Sequence, residues 1–133
     1  MIRRGYHNHL VLVGLLLLGS TLAACQRQPE LVTAHGRPVS QWLVAIKDRD
    51  PKVRKRAIAA LQSVGRIDPA AIPALTEALK DKDAKVRDAA VIALLNIGPE
   101  AQDIAEALRG AANDKDAQVR AHVAAALARV GKK

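Results

Sequence analysis

Apolar positions along most of the chain fall at helical spacing. Val53, Ala57, Ala60, Leu61 and Val64 are separated by steps of four, three, one and three, which is one face of a 3.6-residue helix. Asp50 before Pro51 supplies an N-cap carboxylate and a proline at the first helical position. Asp83 and Asp116 stand at the same place before Ala84 and Ala117. Gly65, Gly98 and Gly131 fall where a left-handed residue closes a helix. Ahead of each such helix runs a weaker stripe: Val39, Trp42, Leu43 and Ile46, then Ile72, Leu75, Ala78 and Leu79, then Ile104, Ala105, Leu108 and Ala111. Pro38 and Pro99 suit helix starts. Asp68-Pro69 also reads as a cap, and with Pro73 close behind it predicts a helix beginning near Asp68 with a kinked first turn.

The pattern is an internal repeat. At a shift of 33 residues eight columns are identical without a gap: Ala45/Ala78/Ala111, Asp48/Asp81/Asp114, Asp50/Asp83/Asp116, Val53/Val86/Val119, Arg54/Arg87/Arg120, Ala60/Ala93/Ala126, Leu61/Leu94/Leu127 and Gly65/Gly98/Gly131. One helix pair cannot bury its stripe alone, and about three stacked units are the minimum for stability. The expected fold is all-α, a short α-solenoid of three helix pairs with units at about 38–65, 66–98 and 99–131. Its stability should be modest and roughly additive by unit. The run from Asp83 through Val86-Arg87 and Ala93-Leu94 to Gly98 resembles a HEAT repeat, more narrowly the short HEAT-like repeats first described in phycobilisome lyases. That resemblance covers about residues 38–131 and implies an armadillo-like superhelix. Because repeat arrays serve many partners, it implies little about the ligand.

The first 24 residues have the pattern of a targeting segment rather than of a fold. Arg3 and Arg4 precede an apolar stretch from Leu10 to Ala24 that meets the polar run Gln26-Arg27-Gln28. A bilayer-spanning helix needs about 20 residues, and this stretch is shorter, so a signal peptide fits better than an anchor helix. The ending Leu22-Ala23-Ala24-Cys25 resembles the lipobox of bacterial lipoproteins. The resemblance implies cleavage between Ala24 and Cys25 and diacylglyceryl or palmitate-type acyl chains on Cys25. Two or three acyl chains anchor a protein stably, whereas one is marginal. Gln26, in place of the aspartate that tends to retain such lipoproteins at an inner membrane, implies the periplasmic face of an outer membrane where a cell has two. Residues 25–37 then form a lipidated cysteine and an irregular tether, and 38–133 the repeat domain.

Composition narrows the chemistry. The chain has 133 residues, a formal charge of +8, one Cys, one Trp, one Tyr and no Phe. A disulfide framework is excluded, as are aromatic platforms for bases or sugars. Removal of residues 1–24 takes Arg3, Arg4 and Tyr6 with it, and lipidation consumes the thiol. His35 and His122 lie far apart with no His-Glu pair, so neither a structural metal site nor the paired motif of iron-binding HEAT-repeat hydroxylases is indicated. Ser40 and Ser63 lack a nucleophile-elbow setting, and no Gly-rich loop ends in Gly-Lys-Ser/Thr. No catalytic residue, metal or cofactor is expected beyond the covalent lipid.

Capping explains the spacing of Asp50, Asp83 and Asp116. The Arg54, Arg87 and Arg120 column has two readings: a structural ladder reaching aspartates of neighbouring units, or an anion-binding row. Trp42 aligns with core Leu75 and Leu108 and is expected in the core; exposed, it would be a partner anchor. His122 is expected exposed and without a role. Lys47, Arg49, Lys52, Arg54, Lys55, Arg56 and Arg66 crowd the first unit against Asp48 and Asp50. They fit either a solvated face or a patch for anionic lipid heads or an acidic partner. Nucleic acid is not an expected partner. The expected function is a membrane-anchored protein-interaction scaffold that is not an enzyme, lined by the second helices, with Lys52, Lys55, Arg56, Lys85 and Ile92 as candidate contacts. The alternative is an electrostatic binder of anionic lipid or cell-envelope polymer. The alanine-rich last helix carries no further capping element, which admits a second copy, a homodimer.

Overall fold

In the computed structural model, residues 32–98 and 102–130 are described. A two-stranded hairpin precedes six helices: β1 (Thr33–Ala34), β2 (Arg37–Pro38), α1 (Val39–Ala45), α2 (Pro51–Val64), α3 (Ala71–Ala78), α4 (Ala84–Ile97), α5 (Gln102–Gly110) and α6 (Ala117–Val130). They pair as α1/α2, α3/α4 and α5/α6. The second helices form the spine, α2 packing on α4 and α4 on α6. The architecture is a short all-α solenoid of three helix pairs.

The carboxylates at the three caps hold the starts of the second helices. Asp50 accepts from the Lys52 N–H at 2.8 Å. Asp83 accepts from Lys85 and Val86 at 2.8 and 3.2 Å, and Asp116 from Gln118 and Val119 at 2.9 and 3.2 Å. Each satisfies N–H groups that lack an intrahelical partner. The core is aliphatic, with Leu61, Leu75, Leu94, Ile104 and Leu108 fully buried. Trp42 is buried among them and donates its Nε1–H to the Ala34 carbonyl at 2.7 Å.

Several local expectations change. The expected tether to residue 37 is ordered at its end: Thr33 to Pro38 form an antiparallel hairpin. His35 and Gly36 both have positive φ (49° and 73°), as a type I′ turn requires. The hairpin packs on α1 and α2, buries Ala34 and places Arg37 over the Trp42 ring. Residues 26–31 of that tether lie outside the described residues. α3 begins at Ala71 rather than near Asp68. Asp68 instead accepts from the Ala70 N–H and closes a turn, and Pro73 sits in the first turn of α3, where its missing N–H leaves no bond unmade.

Gly65 is not left-handed. Its φ is −61°, and the reason for glycine there is contact: a Cβ would lie 2.7 Å from Ile97 Cγ1. Gly98 alone of the three closing glycines has a positive φ among the described residues, and Gly131 lies outside them. The apolar face of α2 also shifts. Val53 is only half-buried, while Ile58, outside the single stripe, is fully buried. A helix within a stack meets neighbours on two sides, so one stripe underestimates its buried surface.

Candidate functional site

The stack places the first turns of α2, α4 and α6 side by side. Behind them runs an ion-pair ladder. Arg54 donates Nε and Nη2 to the Asp81 carboxylate at 2.7 and 2.8 Å. Arg87 does the same to Asp114 at 2.7 and 2.8 Å. These are bidentate, charge-assisted contacts, and both arginines are 4% exposed. The partner is the first aspartate of the loop between the two helices of the next unit, not the cap aspartate. Nη1 of each arginine is held by two carbonyls of its own unit, those of Asp48 and Arg49 for Arg54 and those of Asp81 and Lys82 for Arg87.

Electrostatics follow from this geometry. The hydrogen bond from Arg87 holds the Asp114 carboxyl below the usual carboxylate range, against the opposing effect of burial. At Asp81 burial is the larger single influence and pushes upward, but the Arg54 hydrogen bond and the Asp83 N–H together bring the carboxyl below its ordinary value. Hydrogen bonds to these aspartates raise both guanidiniums, outweighing burial. With their donors spent inside the protein, Arg54 and Arg87 offer no row of free anion receptors. Arg120 is exposed and makes no ion pair among the described residues.

Of the five candidate contact residues, the structure gathers three. Lys55, Lys85 and Ile92 line one shallow groove of about 470 Å³, together with Asp88, Asp116 and Gln118. Ala84 and Ala89 also line it, and Ile92 is 39% exposed. Lys52 and Arg56 are exposed on α2 but lie outside it. Beside the groove His122 of α6 meets Asp88 of α4, Nδ1 to Oδ1 at 2.5 Å. His122 is therefore partly covered and joins two units, which its neighbour Arg120 gave no reason to expect; its only sequence signal was a position 34 residues after Asp88 in a 33-residue repeat.

The basic cluster of the first unit is not one patch. Lys47 and Arg49 line a separate cleft of about 740 Å³ between α1 and α3, where Lys80, Lys82, Glu77 and Asp81 also sit. Lys52, Lys55 and Arg56 belong to α2, and Arg66 donates Nε to the Ile97 carbonyl at 2.7 Å. Ser63 donates to the Ala60 carbonyl within its own helix, and His35 is in the hairpin turn. Among the described residues no three His, Cys, Asp or Glu side chains are grouped to hold a metal, and no helix is long and apolar enough to cross a membrane. Ala24 and Cys25 lie outside the described residues.

Compared with known protein families, residues 39–128 match the family described as HEAT repeats. The chain belongs to the HEAT-repeat family. The match takes in both helices of every unit except the last residues of α6. A search of curated proteins finds no significant match. HEAT-repeat proteins are typically non-catalytic scaffolds that carry protein–protein interactions.

Proposed function

We propose that this HEAT-repeat protein is a lipid-anchored interaction module of the cell envelope, held by acyl chains on Cys25 and offering its second-helix face to a protein partner. The observation that carries the reading is the groove that gathers Lys55, Lys85 and Ile92 with Asp88 and Asp116. An exposed apolar side chain with charges of both signs around it suits a shaped protein interface better than a polyanion. The lipobox-like Leu22-Ala23-Ala24-Cys25 supports the anchor, and Gln26 supports the periplasmic face of an outer membrane.

The electrostatic alternative, anionic lipid or cell-envelope polymer, draws on the basic residues of the first unit. Their dispersal over a cleft, a helix and a backbone contact weakens it. The test is affinity capture of the full-length anchored protein at low and high salt, with mass spectrometry of what is retained. A protein that stays at high salt and is lost in an Ile92→Glu/Lys85→Glu variant supports the scaffold. Recovery of lipid or polymer alone, lost as salt rises, overturns it, since polyanion contacts are screened. Incorporation of a labelled fatty acid that disappears in Cys25→Ser checks the anchor.

A further inference from the structure

The ladder has two open halves. Each unit carries an aspartate turned toward the preceding unit and an arginine turned toward the following one. Among the described residues, Asp48 of the first unit therefore has no arginine partner and Arg120 of the third no aspartate partner. Both keep the pose of their interior counterparts. Asp48 Oδ1 accepts from the Asp50 N–H at 2.8 Å, as Asp81 and Asp114 do from Asp83 and Asp116. Arg120 Nη1 donates to the carbonyls of Asp114 and Lys115 at 2.7 and 3.1 Å, as Arg54 and Arg87 do in their units. Its Nε and Nη2, the pair that clasps a carboxylate elsewhere, make no ion pair among the described residues. Neither does Asp48.

The apolar surroundings are open in the same sense. Ile58 and Val91, one turn beyond the interior arginines, are fully buried, whereas Ala124 at the same place on α6 is exposed. Leu61 and Leu94 are fully buried and Leu127 only partly. At the other end Val53 is half-buried while Val86 and Val119 are covered. The hairpin does not close that end completely. It leads directly into the start of α1, and α1 and α2 run antiparallel across a short loop. Val53 stays half-buried and Asp48 exposed.

We propose that the chain associates head to tail with a second copy, Arg120 of one copy clasping Asp48 of the next while Ala124 and Leu127 pack toward Val53. The occupant is a second copy because the chain carries both halves of the interior rung, each already held in its paired pose and of opposite charge. The contact is heterologous, so each added copy presents the same two open ends and assembly runs beyond a dimer. It is independent of what the second-helix groove binds.

Sedimentation velocity of the full chain in detergent, across a concentration series, tests this. Average mass should rise past that of a dimer, and salt should weaken the association. Arg120→Asp alone and Asp48→Arg alone should each weaken it at least tenfold, by setting like charges against each other. An equimolar mixture of the two variants should restore it: the aspartate introduced at 120 faces the arginine introduced at 48, and the native Arg120 and Asp48 complete the alternate contact. Asp48→Asn keeps the loop hydrogen bond and removes only the charge, so its weaker association is not a folding effect. A monomer at every concentration overturns the proposal. So does a closed dimer, association indifferent to both charge reversals, or failure of the mixture to recover while circular dichroism shows both variants folded.

Discussion

Arg87 and Asp114 illustrate how a repeated charge becomes structural. The guanidinium is almost fully covered and all three of its nitrogens are engaged. Removing it leaves Asp114 a poorly hydrated carboxylate with only the Asp116 N–H. Arg87→Leu should therefore cost about 3 kcal/mol or more in a urea melt, and adding Asp114→Ala should recover part of that loss. The pH profile has a definite sign. Asp81 and Asp114 are held below their unfolded value of about 4, so between their folded and unfolded pKa values the unfolded chain binds more protons. Their contribution is complete above about pH 4 and is lost as pH falls through the folded values. A thermal melt series should show stability level from pH 7 to 5 and falling below about 4, and an Arg54→Leu/Arg87→Leu variant should fall less steeply. The raised arginine values lie too far above neutrality to add to this profile. The Asp–Arg columns were plain in the sequence. Which aspartate column each arginine would meet was not, because both aspartates repeat at the same period and only the stacking of units brings one of them within reach.

Individual elements show where a local signal meets a tertiary demand. The helix starts at Asp50, Asp83 and Asp116 needed nothing beyond the chain itself, since an N-cap satisfies groups two or three residues away. Gly65 differs, because its partner Ile97 lies in the next unit. Gly65→Ala should destabilise by about 1 kcal/mol through overpacking, despite alanine's better helix propensity. Paired with Ile97→Ala it should cost less than the sum of the two single changes, and a double-mutant cycle by chemical denaturation measures this. The hairpin is tied down by the Trp42–Ala34 contact. Trp42→Phe removes the side-chain donor to the buried Ala34 carbonyl and should cost about 1 kcal/mol, with faster exchange of the Val39 amide, which bonds to Val32. A hairpin of two-residue strands leaves almost no periodic signal, and His35-Gly36 is a weaker turn marker than Asn-Gly. A polar, irregular reading of that stretch is what its residues alone support.

For the stack of helices, position matters more than sequence. α4 packs against α2, α3 and α6, whereas α6 packs mainly on α4 and α5. Stability in such arrays is a sum of unit and neighbour contributions, so a helix with neighbours on one side opens first. Hydrogen exchange followed by mass spectrometry should show amides of α6 exchanging faster than the matching amides of α4. Equal protection would indicate that something covers the outer face of α6, and head-to-tail association predicts such protection at high concentration only. The same asymmetry explains Arg120, Ala124, Leu127 and Val53: in sequence they are ordinary members of their columns, and in space they are ends.

The sequence by itself determined the helical class, the 33-residue unit, the number of pairs and the capping of the second helices. These depend on periodicity and on contacts within a few residues, and three copies of each signal reinforce one another. The tertiary structure decided which face of each helix meets the next unit, that Ile58 is core and Val53 an edge, and that Gly65 is a close contact rather than a left-handed turn. It also joined His122 to Asp88 and gathered Lys55, Lys85 and Ile92 while leaving Lys52 and Arg56 apart. The reason is translational: a repeated column looks the same in every unit, but burial and pairing depend on whether a neighbour is there to supply them.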